Sequence, residues 1–198
     1  MHCTGVILAG GGATRFGGRP KGLERVNGER IIDRVADALR ESTDTLLLIA
    51  NDPAAAHWLP GVMVAGDMRP GNGSLGGLQA ALAHAGGAVL VVAWDMPFVP
   101  AALLRQLRSL GEAGADAALP ESGSRRGLEP MCGWYAPACL PAIDAALDRG
   151  DRRVVAFFDD VRVARLSAVV VASFGDPDRL FLNVNNAEEL ARANTVVP

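Results

Sequence analysis

The chain has 198 residues, is 49% hydrophobic and carries a formal net charge of -3, enough apolar content for one sizeable core. That charge gives no general attraction to nucleic acid or an anionic membrane, so any phosphate-binding charge has to be local. Three cysteines, Cys3, Cys132 and Cys139, make neither a disulfide framework nor a repeated Cys-x-x-Cys site, and the apolar segment after Met1 is too short for a signal peptide; a single cytoplasmic domain over 1–198 is the expectation.

The first element is Val6-Ile7-Leu8-Ala9, which reads as the end of a buried strand. It runs into Gly10-Gly11-Gly12-Ala13-Thr14-Arg15-Phe16-Gly17-Gly18-Arg19-Pro20-Lys21, a loop with five glycines, two arginines and a lysine. Converging backbone N–H groups in such a loop can wrap a phosphate chain while the cations offset its charge. A Walker A motif needs Lys-Ser or Lys-Thr after its second glycine, and the dinucleotide fingerprint needs glycine where Arg15 stands, so neither fits. A strand, a long basic glycine loop and a helix suit a nucleoside triphosphate; the plain alternative is a glycine-rich turn whose cations face water.

Ile31 to Arg40 puts Ile31, Val35 and Leu39 on one stripe of an amphipathic helix. Thr45 to Ala50 reads as a buried strand, so that a parallel sheet covered by helices begins here. That strand ends at Asn51-Asp52-Pro53, at the edge where parallel sheets form their ligand crevice. The Asn51 amide could read a base edge there, or the tripeptide could be a turn and helix cap only. A short alanine-rich helix with His57 and Trp58 follows.

A third strand is expected over 61–65. Asp67-Met68-Arg69-Pro70-Gly71-Asn72-Gly73-Ser74-Leu75-Gly76-Gly77 then reads as a flexible segment opening onto a helix at Leu78-Gln79-Ala80-Ala81-Leu82, with Ser74 as a candidate cap. The Asp67 carboxylate can accept both N–H groups of a guanine edge, which adenine and cytosine do not present in that way; capping is the alternative role. Ala88 to Trp94 is the most sheet-like run and is expected to be a central strand. It delivers Asp95-Met96-Pro97 to the same edge, where Asp95 could share a divalent cation with nucleotide phosphates; a turn residue before Met-Pro is the plain alternative.

A helix from Pro100 carries Leu103, Leu104, Leu107 and Leu110, and a short strand spans 116–119. The polar loop Glu121 to Gly127 could hang over the crevice, with Arg125 and Arg126 meeting a second anionic substrate or simply solubilising the surface. Leu128 to Tyr135 returns to apolar structure. Short helices are expected over 141–147 and 151–158 and a strand over 168–174. In Leu180 to Asn186, alternation places Asn183 and Asn185 on one side of an extended segment, facing the crevice or making turn hydrogen bonds. A terminal helix covers 187–193.

Leu8-Ala9-Gly10-Gly11 with Arg15, Gly17-Gly18 and Lys21-Gly22-Leu23 resembles the nucleotide signature of molybdenum cofactor guanylyltransferases. Asp67 before Gly73-Ser74-Leu75-Gly76-Gly77, Asp95-Met96-Pro97, Glu129-Pro130 and Phe181-Leu182-Asn183-Val184-Asn185 follow in order, over almost the whole chain. The resemblance implies a three-layer α/β/α, Rossmann-like nucleotide-diphospho-sugar transferase fold with a mostly parallel central sheet. It implies GMP transfer from GTP to the terminal phosphate of molybdopterin, with Mg2+, and pyrophosphate release. By similarity Leu8, Ala9, Gly10, Gly11, Gly12, Arg15 and Lys21 surround the nucleotide, with Arg15, Lys21 and Asp95 catalytic and Asp95 on the metal. Asn51 and Asp67 then contact guanine or ribose, and Asn183 and Asn185 lie toward the pterin side; Arg125 and Arg126 stay the polar loop's own candidates for the acceptor. Implied partners are the small-molecule substrates and transient contacts with molybdenum insertion proteins or molybdoenzyme chaperones, without nucleic acid or membrane. Ser74, Trp94 and Asn186-Ala187 depart from the family pattern. The rivals are a cytidylyl- or sugar-phosphate nucleotidyltransferase and a noncatalytic GTP-binding module.

Overall fold

The computed structural model describes residues 1–10, 20–124 and 127–195. Seven strands form one sheet in the order β5-β4-β1-β6-β8-β7-β9, where β1 is Cys3–Leu8, β4 Thr45–Ile49, β5 Met63–Ala65, β6 Ala88–Ala93, β7 Ala117–Pro120, β8 Cys132–Tyr135 and β9 Val163–Leu166. β1 pairs in parallel with β4 and β6, and β4 with β5. β8 runs against both β6 and β7, and β9 is parallel to β7, so one strand opposes the other six. The expected mostly parallel sheet is therefore present, and the run that reads most strongly as sheet occupies its middle.

Alternation along β1 and β6 sorts side chains to the two faces. Cys3, Ile7, Ala88, Leu90 and Val92 meet one apolar cluster; Val6, Leu8, Val89 and Val91 meet the other. Helices α1 (Ile31–Arg40) and α3 (Ala101–Glu112) cover the first face. Helices α2 (Gly73–Ala85) and α4 (Cys139–Asp148) cover the second, which completes three layers. α1 buries Ile31, Ile32, Val35, Ala36 and Leu39, and full burial of each larger side chain contributes about 1.5–3 kcal/mol. Among the described residues no helix is long and apolar enough to cross a membrane.

Four expectations change. The Gly73 to Gly77 stretch is not a loop before a helix: α2 begins at Gly73, its N-cap is Asn72, and Ser74 lies inside the first turn instead of capping it. Gly77 is buried, and a Cβ there would stand 3.6 Å from Leu8 Cδ2, an ordinary packing distance. Residues 168–174 are not a strand; α5 (Ala168–Ala172) is helical, and the strand is β9, just before it. The expected helix over 151–158 is a series of turns ending in a 3-10 turn at Phe158–Asp160. A small hairpin of β2 (Arg25–Val26) and β3 (Glu29–Arg30) follows the glycine loop, and α6 (Pro177–Leu180) and α7 (Ala187–Thr195) end the described chain.

Candidate active site

The carboxyl ends of β1, β4, β5 and β6 lie side by side and deliver Leu8 to Gly10, Asn51, Asp67 and Asp95 to one edge. Antiparallel β8 begins at this edge, just after Glu129, because Val92 and Cys132 are partners. Leu8 and Ala9 are buried. The Ala9 amide donates to the Ile49 carbonyl at 2.9 Å and the Trp94 amide to the Leu8 carbonyl at 3.2 Å, which fixes the point where the glycine loop leaves the sheet. Among the described residues, nothing stands within 4 Å of where a Cβ on Gly10 would be. Gly11, Gly12, Arg15, Arg125 and Arg126 lie outside the described residues.

Asp95 is buried and sits in a turn beyond β6, with the Met96 amide donating to the Ala93 carbonyl at 3.2 Å. Its main-chain carbonyl accepts from the Val184 amide at 2.9 Å, which docks the C-terminal segment against it. Lys21 Nζ donates to Asp95 Oδ2 and, at 2.8 Å, to Asn185 Oδ1. Three residues separated by 74 and 164 positions thus meet at one ammonium. The Asn185 amide donates to Glu189 Oε2 at 2.6 Å, anchoring the segment to α7. Asn183 differs: its side-chain amide donates to the Phe181 carbonyl at 3.0 Å, a local turn bond. The two asparagines expected to act together are spent differently.

Asn51 and Asp67 form a second group. Asn51 Nδ2 donates to Asp67 Oδ2 at 2.7 Å, and the Asp67 amide donates back to Asn51 Oδ1 at 2.8 Å. This reciprocal pair joins the ends of β4 and β5 and orients the Asp67 carboxylate. Oδ1 of that carboxylate lies 3.8 Å from where a Cβ of Gly77 would be. Asp52 is the turn and cap residue, accepting from the Ala54 amide at 2.8 Å, which leaves Asn51 to its work with Asp67.

A carboxylate bound to an ammonium at the edge of a parallel sheet can hold a cation shared with phosphates. Magnesium is commonly held by one or two carboxylates plus substrate phosphates and retained water. The buried, single Asp95 carboxylate fits that donor set; among the described residues no group of three His, Cys, Asp or Glu side chains forms a cage for a metal. The cysteines offer no thiolate: burial pushes Cys3 up to about 11 and Cys139 up to about 12, and raises Cys132 further.

One signal in the sequence bears directly on Lys21. The chain contains eighteen arginines and a single lysine, which is Lys21. A composition that uses arginine for almost every cation keeps a compact, rotatable ammonium at the one place where it meets Asp95.

A mostly parallel sheet between two helix layers, with a glycine-rich sequence after its first strand and acidic residues along its carboxyl edge, is the architecture of a nucleotidyltransferase. The chain belongs to the MobA-like NTP transferase family, whose domain matches residues 5–166. It is 34% identical to a molybdenum cofactor guanylyltransferase of Desulfosudis oleivorans, over 98% of this chain and 95% of that protein. Identity is 35% to a molybdenum cofactor guanylyltransferase of Cereibacter sphaeroides, over 100% of this chain and 98% of the relative. The crystal structure of molybdopterin-guanine dinucleotide biosynthesis protein A from Archaeoglobus fulgidus superposes with a TM-score of 0.81 at 27% identity, covering 97% of each chain.

Proposed function

We propose that this protein transfers GMP from GTP to the terminal phosphate of molybdopterin, with or without molybdenum already loaded, forming the guanine dinucleotide and releasing pyrophosphate. The observation that carries the reading is the meeting of Lys21, Asp95 and Asn185 beside the exit of the glycine loop, in a chain whose relatives over its full length are guanylyltransferases of this cofactor.

The chemistry is a direct displacement. An oxygen of the acceptor phosphate attacks the α-phosphorus of GTP, the bond from that phosphorus to the β-phosphate bridging oxygen breaks, and pyrophosphate leaves. A phosphate monoester is already a competent oxygen nucleophile near neutral pH, so the site needs no Ser-His-Asp arrangement. Lys21, released from Asp95, offsets charge on the triphosphate, and Arg15 adds to it from the loop. Asp95 would hold magnesium together with phosphate oxygens; when bound, that ion lowers repulsion between nucleophile and triphosphate and stabilises the charge that develops on transfer. The remaining work is positioning, which can supply a large part of the rate.

Asp67 reads the base in this account. Guanine presents two adjacent N–H donors to a carboxylate, whereas cytosine presents a donor beside a ring acceptor, which a carboxylate repels. Asn51 keeps the Asp67 carboxylate turned for this contact. Asn185, which accepts from the Lys21 ammonium, is assigned with Asn183 to the acceptor side by family resemblance, and Arg125 and Arg126, the cations of the Glu121 to Gly127 stretch, would meet the acceptor phosphate. The product is a labile cofactor, which suits release to a molybdenum insertion protein or molybdoenzyme chaperone in the cytoplasm.

The test is pyrophosphate release with magnesium from GTP, CTP, ATP and UTP, each with and without molybdopterin. Release from GTP only when molybdopterin is present is the expected result. Preference for CTP would overturn the base assignment, release with a sugar phosphate in place of molybdopterin would overturn the acceptor, and GTP binding without turnover would make the protein a binding module.

A further inference from the structure

Beside the Lys21 and Asp95 pair, their chain neighbours Gly22 and Trp94 also meet. Gly22, directly after Lys21, lies buried against the indole of Trp94, directly before Asp95. A Cβ on Gly22 would stand 2.5 Å from Trp94 Cε3, 2.9 Å from Cδ2 and 3.2 Å from the Trp94 carbonyl oxygen. No real side chain approaches that closely, so the contact exists only because residue 22 is glycine.

The indole is itself fixed. Its ring stacks on Trp58 with centroids 5.1 Å apart and planes 21° apart, and both tryptophans are buried. The Trp94 amide is tied to β1 through the Leu8 carbonyl. On the other partner, Pro20 to Glu24 forms a tight turn, with the Leu23 amide donating to the Pro20 carbonyl at 3.0 Å and the Glu24 amide to the Lys21 carbonyl at 3.1 Å. A rigid turn that rests on a rigid ring has little freedom to move along it. The cation and the carboxylate are each one residue from the contact, so the contact sets the distance between them.

We propose that Trp94 is a positioning residue, a fixed stop against which Gly22 seats the turn so that the Lys21 ammonium stands at Asp95 and beside the triphosphate. The tryptophan that departs from the family pattern before Asp95 is thereby part of how this chain places its only lysine. The inference rests on the guanylyltransferase reading for the reaction it serves, and on geometry alone for the position of Lys21.

The experiment uses Gly22→Ala, Trp94→Leu and the double variant, in the full-length protein. With 15N-lysine labelling the single lysine gives one side-chain ammonium signal, read without substrate. In wild type this signal is protected from solvent exchange by Asp95 and Asn185; in Gly22→Ala and in Trp94→Leu it exchanges away. In turnover, Gly22→Ala lowers kcat for GTP about 100-fold, the scale of a roughly 1 Å misplacement, with KM rising less. Adding Trp94→Leu to Gly22→Ala clears the ring the new methyl strikes, and kcat recovers about tenfold over Gly22→Ala alone, a coupling that independent structural damage does not produce. An unchanged ammonium signal in both single variants, or losses that simply multiply in the double variant, would overturn the proposal. If Gly22→Ala does not fold, the ammonium signal of Trp94→Phe and Trp94→Leu decides: protection kept in both refutes it, and loss in Trp94→Leu upholds it. A wild type that leaves GTP and molybdopterin unreacted refutes the guanylyltransferase reading and leaves the ammonium signal to judge this one.

Discussion

Replacing Asp95 by asparagine separates the catalytic part of the account from its structural part, because the two effects have different sizes. The Lys21 and Asp95 side chains are 16% and 9% exposed. Breaking a fully buried ion pair costs about 3–5 kcal/mol, yet asparagine keeps the shape and one acceptor, and Lys21 retains Asn185. The structural loss then falls near 1–2 kcal/mol, and at about 2–4 °C per kcal/mol for a chain of this size the melting temperature drops by about 2–8 °C. The variant remains folded at 25 °C. The catalytic loss is larger, because the carboxylate that would organise the cation is gone. Removal of one preorganised charge-stabilising group costs about 2.7–4 kcal/mol, or 10²–10³ in kcat. GTP binding changes much less, since a negative charge beside the triphosphate has also been removed. The assay is steady-state pyrophosphate release at saturating GTP and molybdopterin, alongside calorimetric GTP binding and a thermal melt. Wild-type kcat in a folded Asp95→Asn protein would refute the role given to Asp95, and a loss confined to GTP affinity would move that role from transfer to binding.

Lys21→Arg tests why the single lysine is there: a planar guanidinium cannot occupy the ammonium position between Asp95 and Asn185, and kcat/KM for GTP is expected to fall at least about tenfold, whereas full activity would refute the need for lysine. Asp67→Asn replaces a two-fold acceptor with a donor and an acceptor, removing about 1.5–3 kcal/mol of charge-assisted hydrogen bonding, so the ratio of kcat/KM for GTP over CTP is expected to fall by about 10 to 100; an unchanged ratio would show that the base is read elsewhere. Asp116→Asn addresses the sheet edge, where the Arg162 side chain and backbone amide hydrogen-bond the Asp116 carboxylate and hold its pKa down to about 2. A folded-state pKa below the unfolded value of about 3.9 stabilises above that value and is lost as pH falls toward 2. The melting-temperature gap between wild type and Asp116→Asn is therefore expected at pH 6 and should shrink as pH falls from about 4 to 2; a gap independent of pH would refute the linkage.

The parts of the fold legible in the sequence are those whose burial follows a simple period. The Ile31, Val35 and Leu39 stripe places α1, and the unbroken apolar run before Trp94 places β6, because a strand with both faces covered has no polar side to show. The exchange at the C-terminal end has a local cause. Three consecutive valines in 168–172 favour a strand by propensity, yet the pairing with β7 is made by Val163 to Leu166, an edge strand carrying an exposed Arg165. Tertiary position overrode propensity there. At Gly73 to Gly77 the glycines read as loop because they are poor helix formers, yet Leu75, Leu78 and Leu82 of α2 are buried in the core on this face of the sheet, and that packing outweighs local propensity.

Within the site, sequence marks Asp67 and Asp95 because each ends a strand at the crevice edge. It does not show that Asn51 and Asp67 hold each other, since that pairing depends on β5 lying next to β4. Nor does it show that Asn185 comes back 164 residues later to share the Lys21 ammonium, because no spacing rule carries a contact of that range. Trp94 illustrates the same limit. As a residue in a string it is a departure from a pattern, and its meaning depends on Gly22 lying against it.

The most direct measurement of the central claim follows the phosphorus atoms. Enzyme, magnesium and molybdopterin are incubated with GTP labelled at the α-phosphate, and in parallel with GTP labelled at the γ-phosphate. The account predicts that the α label appears in a guanine dinucleotide of the pterin while the γ label leaves in pyrophosphate. Label from the γ position on the pterin, or free GMP as the only α-labelled product, would contradict displacement at the α-phosphorus by the acceptor phosphate.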